Sequence, residues 1–270
     1  MTRLFDRYDA PALQRLFEDA GVCDGLRARG FDDIAVAIVG DGLVLPCVTL
    51  GARKDGLSHV LLEARLRRTT VAIPPIGLDD GAEQAPLDLL LVYWVRAEDP
   101  TVAFTAARPR LPLQNHPGLG MLRRAFRVAV RIAGELAADG VGSRPKFFHD
   151  AVIFQRSRLF LHLDPGEQGR FEALERDLAA LSLRDASIAV AGWCVRDESD
   201  RVVHWQPGWQ IFPISPRLVE HFHLPRYGDG VAAARAANHF HVDAAALAGA
   251  LARLGDAEAA ALSRPGGPRE

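Results

Sequence analysis

Apolar residues recur at helical spacing in the first part of the chain and then change to continuous runs. Residues 10–20 place an apolar residue every three or four positions, which predicts a helix. Three apolar runs follow, separated by the turn sequences GDG at 40–42 and GARKDG at 51–56, and they predict an antiparallel meander. A fourth run, from Leu87 to Val95, is apolar at nearly every position, so it predicts a central strand that is covered on both faces.

The next segment carries the most regular helical pattern of the chain. From Pro117 onwards an apolar stripe faces one side and arginines face the other, which predicts an amphipathic helix that ends at Gly140. Beyond this helix the sequence predicts a short strand within GVGSRP, a helix over KFFHDAVIFQR and a strand at 158–163. Asp164 followed by proline predicts the capped start of a further helix.

The C-terminal part predicts a hairpin and short helices. Two apolar runs, ASIAVAGWCV and RVVHWQPGWQIFPI, flank the acidic turn RDESD, and Ser215 and Asp243 each precede a helical pattern. The expected fold is α+β, with a mixed, mostly antiparallel central sheet flanked by helices, a C-terminal hairpin and a small helical addition. We expect a single domain over residues 1–262 and a flexible tail over 263–270.

Composition narrows the class of protein. With 270 residues, 49% hydrophobic and 24% charged, the chain is suited to a globular fold with a substantial core. A formal net charge of -2 disfavours a nucleic-acid partner. No segment reaches the roughly 18 apolar residues of a membrane span, and the N-terminus lacks a secretory signal, so we expect a cytoplasmic protein with no membrane partner. Cys23, Cys47 and Cys194 form no C-x-x-C pair, which predicts neither a disulfide framework nor a zinc ribbon.

The sequence LPLQNHPGLGMLRRAF at 111–126 contains the strongest candidate for a ligand site. Gly118 and Gly120 precede the amphipathic helix, where consecutive backbone N–H groups would lie at the positive end of the helix dipole and suit a diphosphate. Arg123 and Arg124 follow on the polar face, where they would either pair with phosphate oxygens or form a solvated surface. The alternative interpretation is ordinary helix initiation by Pro and Gly.

The segment from Asn115 to Gly120 resembles the acyl-coenzyme A loop of GNAT-type acyltransferases, whose pattern is Gln or Arg, two residues, Gly, one residue, then Gly or Ala. Here Asn115 stands first, and Gly118 and Gly120 follow at the matching positions. The order of elements is also similar: an early helix, a meander, a central strand, the loop with its helix, a short strand, a second helix and another strand. The resemblance covers residues 10–163 and leaves 164–262 as a C-terminal elaboration.

The resemblance implies an N-acyltransferase that takes an acyl group from acyl-coenzyme A, or from an acyl carrier protein, and passes it to an amine of a small molecule or protein. The edge of the central strand at 93–96 would position the thioester. The resemblance implies that these residues bind the coenzyme: Asn115, Gly118, Leu119, Gly120, Met121, Arg123 and Arg124.

The chain departs from the family pattern in its second helix. Gln155 stands where the family has a tyrosine acid, and Leu159 with Phe160 replaces Gly-Phe. Proton transfer would then fall to His149 or His116, since an imidazole titrates near neutrality. A catalytically inactive binding or regulatory module with the same fold is the alternative that the missing tyrosine leaves open.

Histidine and tryptophan provide the remaining candidate chemistry. Two His-x-His pairs lie at 221/223 and 239/241, and each pair could share a metal if it lay on a strand. A metal-dependent enzyme is therefore a further alternative. We expect structural histidines and no metal. The late cluster of Trp193, Trp205 and Trp209 with His204 would either stack on a ligand or partner, or pack across the hairpin. RPKFFHDA at 144–151 would form either a polar pocket beside the loop or one face of an amphipathic helix.

Overall fold

The computed structural model describes residues 3–40, 45–74, 85–156 and 160–262. The helices of this part are α1 (Ala10–Asp19), α2 (Val22–Arg27), α3 (Leu122–Glu135), α4 (Phe148–Arg156), α5 (Pro165–Asp177), α6 (Leu183–Ala191), α7 (Pro216–His223), α8 (Pro225–Ala236) and α9 (Ala244–Leu262). Its strands are β1 (Asp32–Val39), β2 (Cys47–Lys54), β3 (Leu57–Val71), β4 (Leu87–Ala97), β5 (Gly140–Ser143), β6 (Leu161–His162), β7 (Val195–Asp197), β8 (Gln210–Pro213) and β9 (Phe240–Val242).

Seven of the described strands form one sheet in the order β1-β2-β3-β4-β5-β8-β6. Neighbouring strands are antiparallel, except that β4 and β5 are parallel. The mixed, mostly antiparallel sheet and the α+β class are therefore confirmed. Strand β8 lies between β5 and β6, so the C-terminal part of the chain contributes a strand to the main sheet.

The turn between β2 and β3 is shorter than GARKDG at 51–56 predicts. Strand β2 continues to Lys54, which pairs with Leu57, so only Asp55 and Gly56 form the turn. Both residues have positive φ, 52° and 78°, as a two-residue type I′ turn requires. The other predicted turn, GDG at 40–42, lies outside the described residues apart from its first glycine.

The amphipathic helix α3 begins at Leu122 and not at Pro117. The earlier start is wrong because Gly118 forms a β-bridge with Glu98, and Gly120 has a φ of 66°, which no right-handed helix contains. Of the apolar stripe that the sequence predicts, Phe126, Ala129 and Ala133 are buried, while Leu122, Ala125 and Leu136 are partly buried. The buried face of α3 also includes Val128 and Ile132.

Two arginines on the polar face of α3 hold the C-terminal end of α1. Arg124 Nη1 donates to the Gly21 carbonyl at 3.0 Å, and Arg127 Nη2 donates to the Ala20 carbonyl at 2.9 Å. Ala20 is the C-cap of α1, and because carbonyl groups at a helix C-terminus carry partial negative charge, Arg127 stabilises that end of α1. Gly21 is the N-cap of α2, so Arg124 holds the junction between the two helices. This contact fixes α3 beside α1 on one face of the sheet.

The predicted C-terminal hairpin is wrong in its first strand. Most of ASIAVAGWCV is the helix α6, whose N-cap Ser182 accepts a hydrogen bond from the Asp185 N–H. A short run of alanine, valine and isoleucine fits a buried helix as well as a strand, and here the cap and the packing favour the helix. Strand β7 pairs with β9, while β8 enters the main sheet.

Three apolar clusters form the core of the part of the chain that the structure describes. The largest lies between the sheet and helices α1 to α3, where the Phe126 ring meets those of Phe160 and Phe212 at centroid distances of 5.0 and 5.1 Å. A second is built from α4, α5, α6 and α9, and a third joins the start of β4 to β8 and α7. The aromatic contacts of the first cluster hold α3 against β8, which brings both parts of the chain to one sheet.

Asp139 and Arg217 connect α7 to the beginning of β4. Arg217 Nε donates to Asp139 Oδ1 at 2.8 Å, and Arg217 Nη1 donates to the Ala85 carbonyl at 2.9 Å. Asp139 also accepts a hydrogen bond from the Asp88 N–H at 2.8 Å. The hydrogen bond from Arg217 lowers the pKa of Asp139 to about 2, so the ionised carboxylate stabilises the fold.

We expect Asp139→Asn to lower the free energy of unfolding near neutral pH by about 1 to 3 kcal/mol, because Arg217 loses the charge of its carboxylate partner. The folded pKa lies below the unfolded value of roughly 4, so the difference from wild type should persist above about pH 4 and shrink towards pH 2. Urea unfolding at several pH values measures it. Asp19→Asn, which removes an exposed ion pair with Arg131, is the control and should change stability by less than about 1 kcal/mol. A loss that stayed constant on acidification would contradict this assignment.

Candidate functional site

Strand β4 loses its partner on the β5 side halfway along its length. Parallel pairing with β5 ends where Val92 lies opposite Ser143. Further along, the Ala97 carbonyl accepts a hydrogen bond at 2.8 Å from the Leu119 N–H, in the loop before α3. Residues 93–96 lie between these two contacts, and in the described part of the chain β3 is the only strand beside them. We term this stretch the β4 window; at the usual rise per residue it is about 13 Å long.

A β-bulge at Tyr93 explains why the two strands separate. Val92 pairs with Leu66 and Trp94 pairs with Arg65, so Tyr93 is an extra residue in β4. A bulge bends its strand and increases the local twist. Because the bulge directly follows the last residue paired with β5, the bend directs the rest of β4 away from that strand.

The β4 window has exposed side chains and free backbone groups. Tyr93 is 60% exposed, and Trp94 and Val95 are each 41% exposed. Arg96 forms an ion pair with Glu63 of β3. Peptide groups on the free edge of a strand can bond an extended ligand in the manner of an added strand.

The loop before α3 is held by its carbonyl groups and by two buried side chains. Arg29 Nη1 donates to the Leu119 carbonyl at 2.6 Å, and Arg108 Nη2 donates to the Gly118 carbonyl. The side chains of Leu119 and Met121 are buried. These contacts fix the loop's carbonyl groups and give its peptide N–H groups a defined direction.

The N–H groups of this loop differ in whether the protein uses them. The sequence predicts that the Leu119 N–H is free to bind a ligand. It instead donates a hydrogen bond to the Ala97 carbonyl, so it is not available. Those of Gly118, Gly120 and Met121 bond none of the described residues. Helix α3 also begins without a side-chain cap, so the positive end of its dipole adds to the potential at these groups.

Guanidinium groups surround the loop. Arg29, Arg108 and Arg123 are exposed and form no ion pair with any of the described residues. Arg124, which the sequence places with Arg123, bonds the carbonyl of Gly21 and is partly occupied. The sequence analysis did not identify Arg29 and Arg108 as candidate site residues. The one local feature that could have indicated them is an arginine next to Gly or Pro, in the short segments RARG and ARPR.

Asn115 and His116 lie at the outer end of the loop. The Asn115 N–H donates to Glu98 Oε1 at 3.1 Å, and the Asn115 side chain is exposed. His116 is half-buried and directly precedes Pro117. The loop therefore places both residues beside the end of β4.

An apolar cavity of about 80 Å³ adjoins the β4 window. Val92 and Val95 of β4 face Leu122 and Ala125 of α3 across it, and all of its described lining residues are apolar. An engineered cavity of about 150 Å³ holds benzene, so this volume suits roughly three or four carbon atoms. Such a cavity excludes charged groups and accepts a short aliphatic chain.

His149 is buried in the first turn of α4. Its ring stacks on that of Phe147 at a centroid distance of 5.4 Å, and its Nε2 lies 3.5 Å from Asp150 Oδ1. Burial lowers the pKa of His149 to about 4 and raises that of Asp150 to about 6. The Nδ1 atom has no hydrogen-bond partner among the described residues. Within the described ranges, no hydrogen bond, ion pair or ring contact joins His149 to His116 or to the loop.

The two His-x-His pairs differ in their surroundings. His221 is buried and bonds a backbone carbonyl at 3.1 Å, whereas His223 is exposed on α7. His239 and His241 are both exposed. Over residues 3–40, 45–74, 85–156 and 160–262, no group of three or more His, Cys, Asp or Glu side chains is arranged to hold a metal ion.

The cysteines are buried, whereas the tryptophans differ in exposure. Cys23, Cys47 and Cys194 are buried, and burial raises the pKa of each thiol, which disfavours a nucleophilic role. Trp205 packs against the second core cluster, while Trp193 is exposed. The tryptophan cluster is therefore divided between packing and a free surface.

Comparison with known proteins finds no matching family model, no similar curated protein and no similar solved structure. No helix in the part of the chain that the structure describes is long and apolar enough to cross a membrane. Inference of function therefore depends on the geometry of the β4 window, the loop and the cavity.

We expect His149→Phe to become more stable relative to wild type as the pH falls from about 6.5 to about 4, by an amount of the order of 2 kcal/mol. Wild type loses stability in this range because the unfolded imidazole binds a proton that the buried one does not. Urea unfolding across this range measures the difference. His241→Gln, at an exposed position, is the control and should show no such change. Parallel pH curves for wild type and His149→Phe would contradict the burial of a neutral imidazole.

Proposed function

We propose that this protein is an N-acyltransferase with a GNAT-like fold, which takes an acyl group from a coenzyme A thioester or an acyl carrier protein and passes it to an amine. The observation that carries the proposal is the β4 window, a free strand edge between two parallel strands that separate. The cationic loop lies at one end of this edge and the apolar cavity lies beside it. The three features suit the diphosphate, the amide-containing arm and the acyl group of one elongated donor.

The diphosphate would bind at the N-terminus of α3. The free N–H groups of Gly118, Gly120 and Met121 would donate to its oxygens, and Arg29 and Arg108 would supply charge beside them. Both arginines already contact the loop, so binding requires little rearrangement of the backbone. Asn115, Arg123 and the free side of Arg124 lie around the same loop and would contribute further polar contacts.

The arm of the donor would extend along the β4 window. Its amide groups would bond the free peptide groups of residues 93–96, as an added strand does. This places the thioester near the bulge at Tyr93, next to the apolar cavity. The acyl chain would enter the cavity between Val95 and Ala125 and leave the thioester carbonyl accessible to an amine.

In the reaction, the nitrogen of a neutral amine attacks the thioester carbonyl carbon. The carbon–sulfur bond breaks, the sulfur leaves as a thiolate, and the proton lost by nitrogen completes the thiol. His116 and His149 remain the predicted proton carriers. His116 lies in the loop and is half-exposed, whereas the low pKa of His149 makes it a weak base that is neutral at physiological pH.

We expect Gly118→Asp to abolish the rise in melting temperature that acyl-coenzyme A produces, because a carboxylate would lie where the diphosphate binds. A ligand at about 100 times its dissociation constant adds roughly 2.7 kcal/mol to stability, which a thermal-shift assay detects. The position tolerates a Cβ, since its nearest atom would be the Ala97 carbonyl oxygen at 3.9 Å. Gly118→Asn is therefore a neutral control of the same shape and should retain most of the shift. Equal shifts in wild type and Gly118→Asp would remove the loop from the site.

We expect the thermal shift to be larger with butyryl-coenzyme A than with acetyl- or decanoyl-coenzyme A, because the cavity holds roughly three or four carbon atoms. Ala125→Met would fill the cavity and move the preference to acetyl-coenzyme A. Val130→Met, on the same helix but outside the cavity lining, is the matched control and should keep the wild-type preference. An Ala125→Met variant with an unchanged preference would place the acyl group elsewhere.

A catalytically inactive module is the second candidate function, and Gln155 in place of a tyrosine acid favours it. Binding of acyl-coenzyme A without release of free thiol, across a panel of amines, would assign the protein to this class. Loss of thiol release in His116→Ala or His149→Ala, with binding retained, would instead assign that histidine as the proton carrier.

A further inference from the structure

A second pocket, of about 220 Å³, lies between the beginning of α4 and the end of α6. Lys146 and Phe147 precede α4, Trp193 follows α6, and His204 and Trp205 come from the segment before β8. None of these residues belongs to the β4 window, the loop or the apolar cavity. We term this site the aromatic pocket.

The inner wall of the aromatic pocket is rigid. Trp205 Nε1 donates to the Pro145 carbonyl at 3.1 Å, which fixes the plane of its ring. Phe148 and Phe171 pack against the same ring at centroid distances of 5.7 and 6.1 Å. A ligand that contacted Trp205 would therefore meet an aromatic surface that is already ordered, and binding would require little loss of side-chain entropy.

The outer wall of the pocket is an exposed tryptophan with an uncommon backbone conformation. Trp193 is 62% exposed and has a φ of 60°, in the left-handed region that bulky residues rarely adopt. Its N–H donates to the Val190 carbonyl, and its ring meets the edge of His204 at a centroid distance of 5.7 Å. The chain therefore places a large indole at the surface, beside a pocket that the indole does not fill.

The charge of the pocket is positive. Lys146 Nζ lies 5.6 Å from the centroid of the Phe147 ring, and none of the described residues that line the pocket is acidic. A cationic ligand would be repelled by Lys146, whereas an anionic one would gain a charge contact with its exposed ammonium group. An anionic group is the complement to this charge.

The volume of the pocket limits the size of the ligand. A cavity of about 150 Å³ holds benzene, and pockets for drug-sized ligands begin at about 300 Å³. One substituted ring therefore fits a volume of about 220 Å³, whereas a nucleotide exceeds it. From the aromatic walls, the lysine and this volume we propose that the aromatic pocket binds a small planar aromatic carboxylate with a single ring. This proposal does not depend on acyl transfer.

The test is a titration with benzoate, 4-hydroxybenzoate, phenylacetate and anthranilate, followed by tryptophan fluorescence and by calorimetry. We expect saturable binding of at least one of them and weaker binding of its uncharged amide. Lys146→Gln should weaken binding of the carboxylate about threefold to fivefold, the effect of one exposed charge contact, and leave the amide unchanged. Trp193→Ala should weaken both about threefold to tenfold by calorimetry and remove most of the fluorescence change.

Lys54→Gln is the matched control for the lysine. Lys54 Nζ also lies over a phenylalanine ring, at 5.0 Å from the centroid of Phe31, but far from the aromatic pocket in the sequence and in no part of its lining. We expect it to bind the carboxylate as wild type does. The proposal is overturned if no acid of the panel binds saturably at millimolar concentration. Equal loss in Lys54→Gln and Lys146→Gln, or unchanged affinity in Lys146→Gln and Trp193→Ala, would also overturn it.

Discussion

One extra residue in β4 sets the geometry on which the proposed acyl-donor site depends. The bulge at Tyr93 follows the last residue that pairs with β5, and β4 then continues with a partner on one side only. In the described part of the chain the ladder with β5 ends at this point, which leaves the peptide groups on that side of the β4 window unpaired. Val95 is three residues after Val92, so in a regular strand the two side chains would lie on opposite faces of the sheet. The bulge between them places both side chains on the wall of the same cavity.

The loop before α3 closes the other end of the β4 window, and its position depends on contacts distant in sequence. Arg29, which follows α2 in the sequence, donates a hydrogen bond to the Leu119 carbonyl. Arg124 and Arg127 of α3 donate to carbonyl groups that follow α1. The early helices thus fix the N-terminus of α3 relative to the sheet. Leu13 and Phe17 of α1 also line the apolar cavity, so the helix that holds α3 in place contributes to the cavity wall as well.

The structure places two pockets of different chemistry near the two ends of α4. Phe154, in its last turns, lines the apolar cavity, and Phe147 and Phe148, at its start, line the aromatic pocket. Between them His149 is buried and neutral, and its Nδ1 bonds none of the residues that the structure describes. The chemistry that we propose for the two pockets is independent, but α4 contributes to both.

The sequence by itself determined the elements whose patterns are strong and local: α1, the meander, the buried strand β4, the apolar stripe of α3 and the capped start of α5. It also indicated that Gly118 and Gly120 belong to a glycine-containing loop before α3. Tertiary structure alone decided that ASIAVAGWCV is mostly a helix, that β8 enters the sheet between β5 and β6, and that α3 begins at Leu122. The reason is physical, because local patterns record only which face of an element is apolar. Contacts between residues far apart in the chain determine the bulge at Tyr93 and the bond from Leu119 to Ala97. Such contacts also determine the positions of Arg29 and Arg108 beside the loop.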